Sequence, residues 1–377
     1  MNPNNHLELD NYFILSSNCI VTIGAVKSTI TDFQRAKIFS ISKTYGILLE
    51  QMNRQRVSDT ILTIESQSLM SFYDFLDFLV TEEIGFLTHS HELFPRKRTN
   101  WSSPFKVSNA IMDFTDTYYD YKKAFKELDE LGCQSIQVRF YNTVSKEMLF
   151  SLLEDLNKYQ QTFVEIYCPY DINLSLEDYH ALIYDYNFLS YFYVFNSPFE
   201  KEEELIVERE DYFPLNFGSV YYISEIIKSE KGCGLISLQN MNIGSIDLFH
   251  ESINHNGCLN RKISISKEGQ IKNCPSMPFA YGHIDSTSIK DVLQIEEFTR
   301  LFYLNKKDIN ICRDCEFRSN CTDCRAYLEE PSNIYSKPLK CGYDPYSNIW
   351  QEWSANPLKH DVINKYAFGE LENLGNN

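Results

Sequence analysis

Short apolar runs of strand length alternate with helix-length amphipathic stretches along most of the chain. Tyr12–Leu15 and Cys19–Ile23 read as strands, with Ser-Ser-Asn between them as a turn. Ser28–Ile30 and Lys37–Ile41 are further strand candidates. Ser42 to Asn53 reads as a helix, with Ser42 as N-cap and Tyr45, Ile47, Leu48 and Met52 as its apolar stripe. Ser71 to Thr81 repeats the helical period through Phe72, Phe75, Leu76, Phe78 and Leu79, and Ile84–Thr88 closes the segment as a strand. This order of strands, two helices and a closing strand is that of a winged-helix-like α+β domain over residues 1–100.

A polar stretch, Pro95-Arg-Lys-Arg-Thr-Asn-Trp-Ser-Ser-Pro104, reads as a solvated linker. From 105 to 250 the two periods alternate regularly. Phe105–Phe114, Ser135–Phe140, Gln161–Tyr167 and Tyr191–Phe195 have strand character. Tyr119–Leu131, Lys146–Tyr159 and Leu176–Tyr186 have helix character, and Gly132 sits where a C-cap belongs. Such βα units predict an α/β fold with a parallel sheet, curled into a barrel or part of one. Glu200–Asp211 is a charge run read as a solvated loop or helix face. Residues 351–377 are polar and read as a loosely docked tail.

Composition narrows the function classes. The 377 residues suffice for two or three domains, and the net charge of −17 disfavours nucleic acid and anionic lipid as partners. No secretory signal opens the chain, and no apolar run approaches the roughly 20 residues needed to span a bilayer. The cytoplasm is therefore the expected compartment. There thiols stay reduced, so eleven cysteines read as metal ligands before they read as disulfides.

Seven of the eleven fall between Cys258 and Cys341. Cys258 and Cys274 bracket a predicted hairpin: Arg261–Ser266, a Lys267-Glu-Gly269 turn, then Gln270–Asn273. Two knuckles follow, Cys312-x2-Cys315 and Cys321-x2-Cys324, and then Cys341. A Cys-x-x-Cys knuckle folds back so that both sulfurs face one point, and thiolates bind zinc and iron alike. Seven soft ligands exceed one tetrahedral site. The spacing alone leaves zinc and iron–sulfur clusters open.

The whole series of Cys258, ten residues, Gly269, four residues, Cys274, the two knuckles and Cys341 resembles the SPASM domain, which follows radical S-adenosylmethionine (SAM) barrels in peptide-modifying enzymes. One spacing departs: Cys321 and Cys324 are two residues apart where the family has three. The chain resembles the SPASM-domain peptide maturases of grasp-with-spasm systems, most closely through Cys312-Arg-Asp-Cys-Glu-Phe-Arg and Cys321-Thr-Asp-Cys-Arg-Ala-Tyr. The resemblance implies a radical-SAM-like (βα) barrel over 105–250, a SPASM domain over 251–350 and a peptide-recognition role for 1–100, which would capture a precursor peptide as an added strand. It implies an ATP-grasp ligase as partner. It also implies one [4Fe–4S] cluster on Cys312, Cys315, Cys321 and Cys341, and a second on Cys258, Cys274 and Cys324. The second site's fourth ligand stays open between His250 or His255, Cys233 and an open iron, or the site is absent.

A SAM-cleaving cluster needs Cys-x3-Cys-x2-Cys after the first barrel strand, with three ligands leaving one iron free for SAM. No Cys-x3-Cys occurs in the chain, and Asp113–Asp120 holds no cysteine. The barrel is therefore expected to be partial or degenerate and to bind no SAM. No catalytic residue can be named from the sequence. His180 and His283 lack metal-like neighbours and read as packing or surface residues.

Overall fold

The computed structural model describes residues 9–96, 101–115, 119–209, 212–239, 241 and 243–368. Strands β1 (Tyr12–Leu15), β2 (Cys19–Ile23), β3 (Lys27–Asp32) and β4 (Lys37–Ser42) lead into helix α1 (Lys43–Met52). β2, β3 and β4 form an antiparallel meander. β1 turns away from it and pairs with β5 (Gly85–Thr88), beyond α2 (Val57–Ile61) and α3 (Leu69–Thr81). The Ser42 hydroxyl accepts the Tyr45 N–H at 3.2 Å and fixes the start of α1. The stripe of α1 needs correction: Gly46, Leu49 and Met52 are buried, whereas Ile47 is exposed. The five-residue α2 has too few turns for periodicity to show it. Phe13, Ile30, Leu49, Phe72 and Leu79 form the core of this part.

The main sheet has eight strands in the order β10-β11-β9-β8-β7-β6-β12-β13. β6 (Asn109–Phe114), β7 (Ser135–Phe140), β8 (Phe163–Pro169) and β9 (Leu189–Phe195) are mutually parallel. Helices α4 (Tyr121–Glu130), α5 (Lys146–Leu156) and α6 (Leu176–Asp185) connect them. Asp120, Ser145 and Ser175 cap these helices, Ser175 in a reciprocal capping box with Asp178. Along β7, Ile136, Val138 and Phe140 are buried while Gln137 and Arg139 are half-buried, the period-2 alternation of a sheet with unequal faces. The end strands β10 and β13 do not pair with each other among the described residues, so the sheet is open rather than a closed barrel.

Of the Glu200–Asp211 segment, residues 210 and 211 lie outside the described residues, and 201–209 are strand rather than loop or helix. They build β10 (Lys201–Arg209), antiparallel to β11 (Tyr212–Tyr222), which itself runs parallel to β9. β10 is an edge strand, and exposed charges there are compatible with strand structure because they oppose pairing with another sheet.

The predicted cysteine hairpin is β12 (Lys262–Ile265) and β13 (Ile271–Lys272), with Ser264 opposite Lys272. β12 also pairs in parallel with β6, Lys262 opposite Asn109. The hairpin thus continues the main sheet. Gly269 takes φ +78° in its turn, where a Cβ would meet the His283 ring. A last hairpin, β14 (Tyr343–Asp344) with β15 (Ile349–Trp350), follows Cys341. Of the predicted tail, residues 369–377 lie outside the described residues, and 351–368 are better anchored than their polarity suggests. Ile363 and Phe368 are buried beside Tyr327, and Lys359 Nζ donates to the Leu339 and Cys341 carbonyls at 2.8 and 3.0 Å. Part of the linker is also held: Trp101 lies 4.6 Å from the Arg261 guanidinium. No helix among the described residues is long and apolar enough to cross a membrane.

Candidate metal centre

Among the described residues no cysteine is in a disulfide, and the seven clustered ones fall into two groups. Cys312, Cys315, Cys321 and Cys341 line one small chamber, closed by Phe317 and Trp350. The first knuckle is built by a single 3₁₀ turn, Cys312–Asp314, in which the Cys315 N–H returns to the Cys312 carbonyl at 3.1 Å. Ile311 precedes it at φ +66°, a left-handed conformation that a branched residue adopts only under constraint. Burial pushes the Cys312 thiol up to about 11, against the opposing pull of Lys306. Burial raises Cys315 and Cys341 as well.

Buried cations surround this chamber. Lys306 Nζ sits 2.8 Å from Asp323, whose same oxygen receives Arg325 at 2.7 Å. Burial works against the Lys306 charge, but Asp323 and then Cys312 and Cys321 outweigh it and hold its pKa well up. Burial also works against the Asp323 carboxylate, yet Lys306 and Arg325 together keep its pKa below the usual range. Lys337 lies on the Cys341 side, donating to the Tyr343 carbonyl at 2.8 Å.

The second group is Cys258, Cys274 and Cys324. Cys258 and Cys274 pack with Leu259, Leu301 and Leu304, and Met277 joins this cluster to the one holding Cys324. Burial pushes Cys274 and Cys324 each up to about 12, and the charges of their cysteine neighbours add to it. Cys321 and Cys324 are close in sequence but belong to different groups. Asp323 between them has φ +69°, and Cys321 lines the first chamber while Cys324 packs with Tyr327 and Leu339.

Among the described residues no three Cys, His, Asp or Glu side chains already meet in metal-ligating geometry. The sulfurs are gathered into two neighbourhoods without converging on one point. The donor set nonetheless fits a thiophilic metal: reduced, buried thiols beside buried ammonium groups are suited to a centre that carries net negative charge once its thiols ionise.

Other residues singled out in the sequence lie elsewhere. His255 packs between Trp101 and Tyr303, with Nδ1 3.2 Å from the Glu251 carbonyl. His250 lines a groove with Trp101 and Arg261. Ser252 donates to the Phe249 carbonyl at 2.8 Å. His283 contacts the Glu268 carbonyl through Nε2 at 2.7 Å, and His180 lies on α6. Cys133 and Cys168 are buried in the main core. Asp113, on β6 just before the cysteine-free loop, forms a bidentate ion pair with Arg139 at 2.7 and 2.9 Å. That pair gave no signal in sequence, because its two members come from different strands. Residues 116–118 of the loop lie outside the described residues.

No protein family and no curated protein matches this chain. Among solved structures it is similar to Streptococcus suis SuiB bound to S-adenosylmethionine, at 8% identity and a TM-score of 0.38, covering 86% of this chain and 98% of that one. A second structure of Streptococcus suis SuiB gives 9% identity, a TM-score of 0.38 and the same coverage. SuiB bound to precursor peptide SuiA gives 7% identity and a TM-score of 0.36, covering 83% and 96%. A likeness of this size assigns no role to any residue here.

Proposed function

We propose that this chain is a metal-binding peptide-maturation protein of the SPASM type, acting on a ribosomally made precursor peptide together with an ATP-grasp ligase. The observation that carries the reading is the chamber lined by Cys312, Cys315, Cys321 and Cys341 and flanked by buried lysines. These four would hold one [4Fe–4S] cluster, and Cys258, Cys274 and Cys324 would contribute to a second. A bound cluster supplies electron transfer or a rigid cross-link between segments. No SAM site is assigned, because the chain has no Cys-x3-Cys-x2-Cys.

The peptide is assigned to the first hundred residues. β2 has no strand on its outer side among the described residues, and a broad groove runs beside it, lined by Leu15, Ile20, Val21, Glu50 and Phe94. An extended peptide added along β2 would gain backbone hydrogen bonds and place alternate side chains in that groove. No catalytic residue is assigned.

Iron, zinc and sulfide analysis of anaerobically prepared protein tests the centre, with iron and acid-labile sulfide in equal amounts as the expected result. Zinc without sulfide would make the module a structural zinc scaffold, since a four-thiol set suits either metal. Absence of both metals would overturn the reading. Binding of the precursor peptide encoded beside the gene tests the other half.

A further inference from the structure

The second cysteine group is one ligand short of the four that zinc or an iron–sulfur cluster takes from cysteine. A further cysteine, Cys233, comes from outside the module on a segment that packs against Cys324. Cys233 follows a short 3₁₀ turn, Glu230–Gly232, in the connection between β11 and β12. Three contacts clamp this connection onto the module. Lys340 Nζ donates to the Lys231 and Cys233 carbonyls at 2.5 and 3.0 Å. The Ser276 hydroxyl, two residues after Cys274, donates to the Glu230 carbonyl at 3.1 Å. Ile236 forms a parallel bridge with Cys341, its N–H 3.1 Å from the Lys340 carbonyl.

The residue after Cys233 shows how tight the approach is. Gly234 has φ +89°, and a Cβ there would stand 2.9 Å from Cys324 Sγ. The backbone at 233–234 therefore runs directly against the Cys324 sulfur, and glycine is required for it to do so. Cys233 also acts electrostatically on Cys274, and Cys258 and Cys274 act on Cys324. Lys262 faces Cys258, Cys274 and Cys233 together, with its ammonium 3.5 Å from Cys258 Sγ. Other candidates lie elsewhere: the His255 ring between Trp101 and Tyr303, the Ser252 hydroxyl on its own helix, and His250 in the groove with Trp101 and Arg261.

We propose that Cys233 is the fourth thiolate of a second metal centre, completed by Cys258, Cys274 and Cys324, with Lys262 as the cation facing it. The inference rests on the metal-binding reading above and extends it to a residue outside the cysteine module. Each thiol that ligates releases its proton to solvent, which leaves a negatively charged centre next to Lys262 and Lys340. The exposed position of Cys233 puts the entry route for the ion on its side of the site.

Cobalt(II) titration of the full-length metal-free chain tests this, because its ligand-field bands report the number of thiolates. The wild type is expected to take up two ions with tetrathiolate spectra. Cys233→Ser should weaken one of the two sites at least tenfold and shift its bands to higher energy, leaving the other unchanged. Cys312→Ser should remove the opposite site. A second reading needs no variant: alkylation of Cys233 in the wild type, followed by mass spectrometry, should slow at least tenfold on cobalt loading. Two tetrathiolate sites in Cys233→Ser, or no protection of Cys233 in a loaded wild type, would overturn the role of Cys233 alone. A wild type that takes up no cobalt and, prepared anaerobically, holds neither iron nor zinc would overturn the metal-binding reading itself.

Discussion

Lys262 Nζ lies 3.5 Å from Cys258 Sγ, and among the described residues no carboxylate pairs with it. Burial by itself would lower the lysine's pKa, but Cys258, Cys274 and Cys233 outweigh that and raise it. A charged ammonium whose close partner is sulfur is best satisfied when that sulfur is a thiolate. A charge-assisted hydrogen bond of this kind contributes about 1.5–3 kcal/mol. Lys262→Met should therefore weaken metal at the second cysteine group about tenfold or more and leave the first group unaffected. Competition of the loaded protein against a chromophoric chelator reads both sites. Equal affinities in variant and wild type would remove Lys262 from the centre.

Asp323 holds the cations of the module together. It receives Lys306 at 2.8 Å, Arg325 at 2.7 Å and the Asn256 amide at 2.8 Å. Removing one member of a buried ionic network strands the others, at about 3–5 kcal/mol. Asp323→Asn should destabilise the fold by an amount of that order, read as a lower thermal midpoint. Its carboxyl pKa is depressed in the fold, so its contribution is complete above the ordinary aspartate value of 3.8 and lost as pH falls through the folded value. Acid unfolding of the variant should accordingly begin from a lower plateau and show a shallower dependence below that pH.

The β2–β3–β4 sheet rests on the knuckle loop. Thr29 Oγ1 donates to the Glu316 carbonyl at 2.7 Å, Thr31 Oγ1 to Asn320 at 2.8 Å, and Arg318 Nη1 to the Ile23 carbonyl at 2.7 Å. Thr29, Thr31 and Glu316 are buried, so their partners cannot be replaced by water without rearrangement. Disordering the knuckle should therefore loosen the sheet. Hydrogen exchange across residues 27–32 should speed up in Cys315→Ser relative to the metal-loaded wild type, while exchange across 135–140 stays the same. Unchanged protection of both segments would show that the sheet holds its place without the knuckle.

Two thiols of the main core give an alkaline signature. Burial pushes Cys133 and Cys168 each up to about 12, above the ordinary value of 9.0. A group whose pKa is raised on folding stabilises fully below its unfolded value and loses that contribution as pH rises through the folded one. Stability to urea should thus decline between about pH 9 and 12. In a Cys133→Ala, Cys168→Ala double variant this decline should be flatter, though from a lower starting stability because two core side chains are truncated.

Much of the architecture was legible along the chain. Ser135–Phe140 forms the strand its alternation specified, and the Ser42 cap starts the helix it announced, because period and capping are local properties. The hairpin between Cys258 and Cys274 is equally local: a turn glycine at 269 between two short strands. Lys201–Arg209 misled because its charges describe a solvent-facing edge, which a loop and an edge strand share. Residues 351–368 misled because Lys359 there buries its ammonium group on the Leu339 and Cys341 carbonyls.

What the sequence by itself determined is the inventory: which thiols exist, which of them sit in knuckles, and that no SAM-cluster triad accompanies them. Those are facts of identity and spacing. Only the tertiary structure decided the neighbourhoods. β1 crosses to β5 although β2 is next to it in sequence. Cys233 reaches the module through a connection that Lys340 and Gly234 hold in place. Each of these depends on contacts between residues far apart along the chain, and packing, which spacing does not encode, sets them.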